Sequence, residues 1–335
     1  MGSSKHYLVG DVGGTNCRLA ACDPASGLID EVYIMPVEDF PSLGEAIKKF
    51  ADTVGVLSFS RASVSIANPI GGDRIVMTNA HWDFSIEETK QNCGLEQLKM
   101  LNDWESAALS LPLLKDPDLE KINCCPTNKT GNRALCGVGT GLGAAGLVRG
   151  HDTEWTPIAG EGGHVSFSPV NGEELQILEI IRETHEHVSF EKILSGSGLV
   201  SLYQAIATIN DAQINTYAPQ DILAHAASQD DPICKKTLEV FCGVLGNFAG
   251  NLCLTLGATG GIYIGGGVID KIRYAGLFDT EIFLDRIRHK GRLLGWLNKI
   301  PAYFIKTPYS GLIGAAAALG IKHARVAEQT STRST

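Results

Sequence analysis

Along the first third of the chain, apolar positions fall in short β-branched runs separated by turn residues. Runs over 7–12, 17–22 and 31–36 predict three strands, and the wider apolar spacing over 42–52 predicts a helix that Ser42 and Glu45 would open as a capping box. A strand over 62–67 stops at Asn68-Pro69-Ile70-Gly71-Gly72-Asp73, a strong turn signal. A short strand over 98–101 ends at Asn102-Asp103, and 104–111 then has helical spacing up to Pro112. Helices are expected near 173–183 and over 197–209, and the Gly- and Ala-rich run 310–319 predicts a closely packed terminal helix that could cross back to the first domain. No residue from Val240 to Ile269 is charged. Asn247, Asn251 and Gly260-Gly261 interrupt that run, so it reads as a buried helix followed by a buried strand rather than as a membrane span. Strands alternating with helices imply an α/β sheet, whose ligands usually bind at the carboxyl ends of the strands.

Two of the turns carry chemistry. Leu8-Val9-Gly10-Asp11-Val12-Gly13-Gly14-Thr15-Asn16-Cys17 places a carboxylate, two glycines and a hydroxyl between two apolar runs. Gly13 and Gly14 let backbone amides approach an anion, Thr15 and Asn16 add side-chain donors, and Asp11 suits the hydrated Mg²⁺ carried by a nucleotide. Taken alone, the motif also fits an ordinary β-hairpin. A second copy runs strand, turn, strand through Leu135-Cys136-Gly137-Val138-Gly139-Thr140-Gly141-Leu142, one such turn in each half, so the chain looks duplicated. This arrangement resembles the sugar kinase, heat-shock protein and actin superfamily. The resemblance implies two actin-like (ribonuclease H-like) α/β domains with an active-site cleft between them. The expected boundaries are a small domain over 1–112, joined by a C-terminal helix at about 308–326, and a large domain over 113–307.

Gly141-x-Gly143-x-x-Gly146 also fits the dinucleotide fingerprint, with Glu161 about twenty residues beyond Gly141 where that fingerprint wants an acid. It requires a helix directly after the glycines, whereas 144–148 is short and apolar and runs into Arg149-Gly150-His151-Asp152, which reads as a second strand and a turn. No Gly-Lys-Ser or Gly-Lys-Thr occurs. With 335 residues and 44% hydrophobic content the chain can bury substantial cores, and its net charge of −9 argues against nucleic acid as a partner. The nine cysteines include the adjacent Cys124-Cys125 but no Cys-x-x-Cys pair, a usage that suits reduced thiols in the cytoplasm. His6 stands where a myristoylation signal wants Ser or Thr, no apolar leader precedes the first strand, and no membrane partner is expected. The polar tail 330–335 is expected to lack structure.

The order of Asp11-Val12-Gly13-Gly14-Thr15-Asn16, Leu101-Asn102-Asp103, Gly160-Glu161-Gly162-Gly163-His164 and Leu194-Ser195-Gly196-Ser197-Gly198 resembles that of bacterial-type glucokinases. Met77-Thr78-Asn79 followed by Trp82, and Gly265-Gly266-Gly267, extend the match over nearly the whole chain. The resemblance implies transfer of the γ-phosphoryl group of ATP to the 6-hydroxyl of D-glucose, with Asp103 as catalytic base. It implies that Asn79, Asn102, Asp103, Glu161, His164 and Glu191 hold the sugar, and that Asp11, Gly13, Gly14, Thr15, Asn16, Thr140, Gly141, Gly265, Gly266 and Gly267 hold the nucleotide. Asp11 would meet nucleotide-bound Mg²⁺ through water. Sugar kinases of the repressor-like ROK group carry zinc-binding cysteines after an equivalent histidine; here no cysteine follows His164 until Cys234. The family is often dimeric, so a homodimer is expected.

Each residue also has a plainer reading. Asp103 could merely cap the helix that follows, Glu191 could be a solvated helix-start residue, and 265–267 could be a flexible loop. Arg18 is expected to be structural or an ion-pair partner, and His185 and His187 to lie in a solvated loop. The competing functions are a kinase of another hexose or an N-acetylhexosamine, and an actin-like sugar sensor that binds ATP without transferring phosphate.

Overall fold

The computed structural model describes residues 6–56, 58–150, 154–327 and 333–334. The chain divides into two compact units, one formed by residues 1–116 and 307–335, the other by 117–306.

The first unit opens with β1 (Tyr7–Val12), β2 (Asn16–Cys22), β3 (Leu28–Pro36), α1 (Leu43–Val54) and β4 (Arg61–Ile66). A small hairpin of β5 (Arg74–Val76) and β6 (Asp83–Ser85) follows, then α2 (Ile86–Asn92), β7 (Gln97–Asn102) and α3 (Asp103–Ser110). The second unit contains β8 (Leu119–Lys121), β9 (Arg133–Val138), β10 (Leu142–Arg149), β11 (Trp155–Gly160), α4 (Gly172–Arg182), α5 (Gly196–Ile209), α6 (Pro219–Ser228) and α7 (Pro232–Leu256). It is completed by β12 (Gly261–Gly265), α8 (Gly267–Tyr274), α9 (Thr280–Arg288), α10 (Leu294–Leu297) and β13 (Ala302–Ile305). The chain then returns to the first unit with α11 (Ser310–Ala318), β14 (Arg325–Val326) and β15 (Arg333–Ser334).

The two units repeat one topology. In the first, β3, β2 and β1 form an antiparallel meander, and β4 and β7 add in parallel beside β1. In the second, β11, β10 and β9 form the meander, and β12 and β13 add in parallel beside β9. The duplication read from the two glycine turns is therefore present in the strand order, with each turn joining the equivalent strands: β1 to β2 and β9 to β10.

Alternation of side chains along β1 sends Leu8 and Val12 into a core with Phe50 and Trp82, and Val9 into a second core with Leu312, Ala315 and Ala316. The first sheet is thus buried on both faces, which explains why its strands read as apolar runs. Helix α11 meets α3 through small residues. A methyl group on Gly314 would overlap the Ser106 carbonyl, and Ser106 Oγ donates to the Gly311 carbonyl at 2.8 Å. Helix α7 is long and apolar enough to cross a membrane, but 78% of its most apolar window is buried, and the following β12 is buried throughout.

Local readings fared unevenly. The expected capping box of α1 is absent: Ser42 is the N-cap residue but makes no side-chain cap bond, and Glu45 instead accepts from Lys48 Nζ at 2.9 Å. A true capping box opens α3, where Asn102 Oδ1 accepts from the Trp104 and Glu105 amides and Glu105 returns to the Asn102 N–H. The third strand starts at Leu28, earlier than expected, and includes Glu31 at φ 51°. Of the tail, Arg333–Ser334 pairs in parallel with β3, correcting the expectation of no structure there, and the rest of 330–335 lies outside the described residues.

No cysteine is paired, and Cys17, Cys22, Cys136, Cys234, Cys242 and Cys253 are buried. Burial pushes the thiols of Cys22, Cys234, Cys242 and Cys253 up to about 12, and those of Cys17 and Cys136 further up. A disulfide reagent applied to native protein at pH 8 should therefore label the exposed Cys124 first and the partly covered Cys93 and Cys125 more slowly. The other six should become reactive only on unfolding; labelling of Cys17 in the native protein would contradict the burial described.

Candidate functional site

In the first unit the parallel strands end level with one another. Val12 pairs with Ile66, and Ile66 with Asn102, so the 13–15 turn, the 67–69 turn and the Asn102-Asp103 junction share one sheet edge. At the turn, the Gly13 N–H bonds the Asn16 carbonyl at 2.9 Å and the Val37 N–H bonds the Thr15 carbonyl at 2.9 Å. The N–H groups of Gly14 and Thr15 take no acceptor among the described residues, which leaves two consecutive donors for an anion. Asn79 lies on this turn: a Cβ built on Gly14 would stand 2.9 Å from the Asn79 carbonyl oxygen.

Asp11 Oδ1 accepts from Ser65 Oγ at 2.9 Å and Oδ2 from Arg18 Nη1 at 3.2 Å, so Arg18 is the expected ion-pair partner. Ser65 itself is fully buried and also donates to the Gly10 carbonyl. The Asp11 carboxylate rests beside the first turn of α11, where a Cβ on Gly311 would come within 2.7 Å of it. At the neighbouring strand end, Asn102 takes the capping role and its Nδ2 reaches the Asn68 carbonyl at 3.4 Å. The plain reading of Asp103 as the cap is thereby corrected, since Asp103 occupies the first helical position instead.

The second unit gathers its residues on the equivalent edge. Leu142 pairs with Val138 and Ala144 with Gly160, which brings the 139–141 turn beside the chain leaving β11. That chain forms a short 3₁₀ turn, Gly162–His164, with the His164 N–H on the Glu161 carbonyl at 3.0 Å. Glu161 and His164 are both exposed. Glu191, in the 3₁₀ turn Phe190–Lys192, is no solvated helix start: Oε2 accepts from the Leu142 N–H at 2.8 Å, and Oε1 lies 3.9 Å from His164 Nε2. Its carboxylate fills the space where a Gly141 side chain would be. The Thr140 and Gly141 N–H groups take no acceptor among the described residues, so this turn repeats the donor pair of the first.

Residues 265–267 form a strand-to-helix junction rather than a flexible loop. Gly266 has φ 102°, and a side chain there would overlap the Val138 backbone. His185 and His187 lie in a loop as expected, His187 Nε2 meeting the His164 carbonyl at 3.0 Å.

The model of the family described as Glucokinase matches residues 8–321 of this chain. The chain belongs to the glucokinase family. It is 42% identical to the glucokinase of Chromobacterium violaceum over 93% of this chain and 88% of that protein. It is 41% identical to the glucokinase of Salmonella arizonae over 94% of this chain and 97% of that one. The crystal structure of a glucokinase from an Antarctic psychrotroph superposes with a TM-score of 0.87 at 33% identity, covering 95% of this chain and 99% of that one. The two duplicated units are thus the actin-like domains of a glucokinase.

This chain's residues fit Mg·ATP on two observations. Each turn offers two uncommitted N–H groups to a phosphate. Each Asp11 oxygen accepts one protein hydrogen bond and keeps capacity for a metal-bound water.

Sequence reasoning missed Ser65 and Gly311, which touch Asp11, and the task of the Ser195-Gly196-Ser197-Gly198 motif. Ser195 Oγ caps α5 through the Gly198 N–H at 2.9 Å, the Gly196 N–H holds the Gly139 carbonyl at 3.0 Å, and a Cβ on Gly198 would press within 2.9 Å of the Glu191 carbonyl. The motif fastens the second glycine turn and the Glu191 turn to one helix start. Gly311→Ala should displace the Asp11 carboxylate, at about 1–3 kcal/mol of overpacking. We expect urea unfolding to report that loss and the apparent KM for Mg·ATP to rise while glucose KM holds; an unchanged Mg·ATP KM would argue against any role of Asp11 toward nucleotide-bound metal.

Proposed function

We propose that this chain is an ATP-dependent glucose kinase in which Asp103 is the catalytic base. Asn79, Asn102, Glu161, His164 and Glu191 hold the sugar hydroxyls, and the two glycine turns hold the phosphates. The observation that carries this reading is the level edge of the first sheet, which sets the Asp11 turn and the Asn102-Asp103 junction at the same strand ends, one strand (β4) apart. Amide, imidazole and carboxylate groups together match a polyol, because carboxylates accept from hydroxyls while amides and imidazole also donate. A sugar lacking one hydroxyl would leave a partner unpaired.

In the reaction, the 6-hydroxyl gives its proton to the Asp103 carboxylate as its oxygen bonds the γ-phosphorus, and the bond from that phosphorus to the bridging oxygen breaks to release ADP. Mg²⁺ on the nucleotide, met through water by Asp11, would neutralise charge on the phosphate oxygens. The family match and the 42% identity to a glucokinase support glucose as the acceptor. Coupled detection of ADP with Mg·ATP and each of glucose, mannose, fructose and N-acetylglucosamine tests the reading. Turnover chiefly with glucose upholds it; equal or better turnover with another sugar replaces the substrate, and no turnover with any of them overturns the kinase.

A further inference from the structure

Each of the two equivalent glycine turns has one residue of the sugar set seated directly on one of its glycines. On Gly14, a Cβ would stand 2.9 Å from the Asn79 carbonyl oxygen and 3.1 Å from the Asn79 Cβ. On Gly141, a Cβ would overlap Glu191 Oε2 and lie 3.2 Å from its Cδ. The neighbouring glycines behave differently: Gly13 would meet only the Asn16 carbonyl at 3.8 Å, and Gly139 nothing within 4 Å. Neither Gly14 nor Gly141 has a left-handed backbone, so the demand for glycine at both comes from the neighbour rather than from φ.

Both seats are braced by further contacts. Glu191 is held by the Leu142 N–H at 2.8 Å, and its own turn is pressed from behind by Gly198, which admits no side chain against the Ile193 and Glu191 carbonyls. Asn79 lies in a loop closed by the Met77 N–H on the Trp82 carbonyl at 3.0 Å and by the Thr78 N–H on Asn68 Oδ1 at 3.3 Å.

We propose that Gly14 and Gly141 are positioning residues for the sugar: their missing side chains set where Asn79 and Glu191 stand. This rests on the reading of Asn79 and Glu191 as sugar contacts. A substitution in a phosphate turn is then felt first at glucose. An added methyl at Gly141 drives the Glu191 carboxylate off its seat while the Thr140 and Gly141 N–H groups stay in place for phosphate. At Gly14 the neighbour is backbone and Cβ, so the whole Asn79 loop must move.

Steady-state kinetics of Gly141→Ala, Gly14→Ala, Glu191→Gln and the double variant Gly141→Ala/Glu191→Asp provide the test, each checked for folding by its thermal unfolding curve. We expect Gly141→Ala to raise glucose KM about tenfold or more with ATP KM within threefold, and the shorter acid of the double variant to recover part of the loss. Gly14→Ala should show the same split, and it decides the matter if Gly141→Ala does not fold. A rise in ATP KM with glucose KM unchanged in the glycine variants, or no recovery in the double variant, overturns the proposal. Glu191→Gln separates the two levels: if it leaves glucose KM unchanged, the sugar assignment itself has failed, whereas a raised KM there beside an unaffected Gly141→Ala means that only the positioning role has failed.

Discussion

Asp103→Ala is expected to lower kcat by about 10²–10⁴-fold, the range a positioned general base contributes, with a far smaller rise in glucose KM. The helix-cap duty that Asp103 could have carried belongs to its neighbour: Asn102 caps α3 and completes the box with Glu105. Removing the Asp103 carboxylate therefore leaves the Asn102 cap in place, and urea unfolding of the variant beside the parent separates a loss of kcat from a loss of stability. Asp103→Asn keeps the shape and a hydrogen-bonding group but cannot take the proton, so it should lose nearly as much kcat as the alanine variant. A variant that retains kcat within tenfold would mean that Asp103 only supports the fold. A variant that loses activity together with stability would place its role in the helix start. The contrast is Asn102→Ala, which should lose about 1 kcal/mol of cap stability as well as sugar contact.

The elements that were legible in the sequence are those whose signal is local. The β1–β2 and β9–β10 hairpins follow from apolar runs either side of a glycine turn, and the end of β7 at Asn102 follows from a short apolar run giving way to helical spacing. The duplicated strand order was legible only because both copies kept a glycine turn. What stayed hidden depends on register and packing. Glu191 finds the Leu142 N–H 49 residues away, and Ser65 finds Asp11 54 residues away. No periodicity encodes such contacts, because they arise when two strands or turns settle side by side. The failed capping box at Ser42 shows the converse: the Ser-x-x-Glu pattern is present, yet Lys48 one turn along competes for Glu45. Glycines were the most ambiguous letters. Gly266 is demanded by its own φ, while Gly141 and Gly311 are demanded by the carboxylates of Glu191 and Asp11, and the sequence writes all three alike.

Trp82→Ala is expected to destabilise the protein by about 3–5 kcal/mol, the cost of truncating a large buried aromatic. Trp82 is fully buried and packs edge-on against Phe84 with ring centroids 6.4 Å apart. Its indole N–H also reaches two carbonyls, Phe40 at 2.7 Å and Val37 at 3.2 Å. Those carbonyls follow β3, and the Val37 N–H holds the Thr15 carbonyl of the first glycine turn, so one indole ties the Asn79 loop to the segment that braces the turn. Trp82→Phe separates packing from hydrogen bonding. It keeps most of the apolar contact, and the Phe40 carbonyl retains the His81 Nε2 contact at 2.8 Å, so the expected cost is about 1–3 kcal/mol, chiefly for polar groups left without their donor. Urea unfolding measures both losses. If the loop argument holds, Trp82→Phe should raise glucose KM more than ATP KM while the protein stays folded, because the Met77–Trp82 closure that presents Asn79 loosens before the turn does. Equal rises in both constants would mean that the indole supports the whole sheet edge, and that Asn79 owes its place to the Gly14 seat alone.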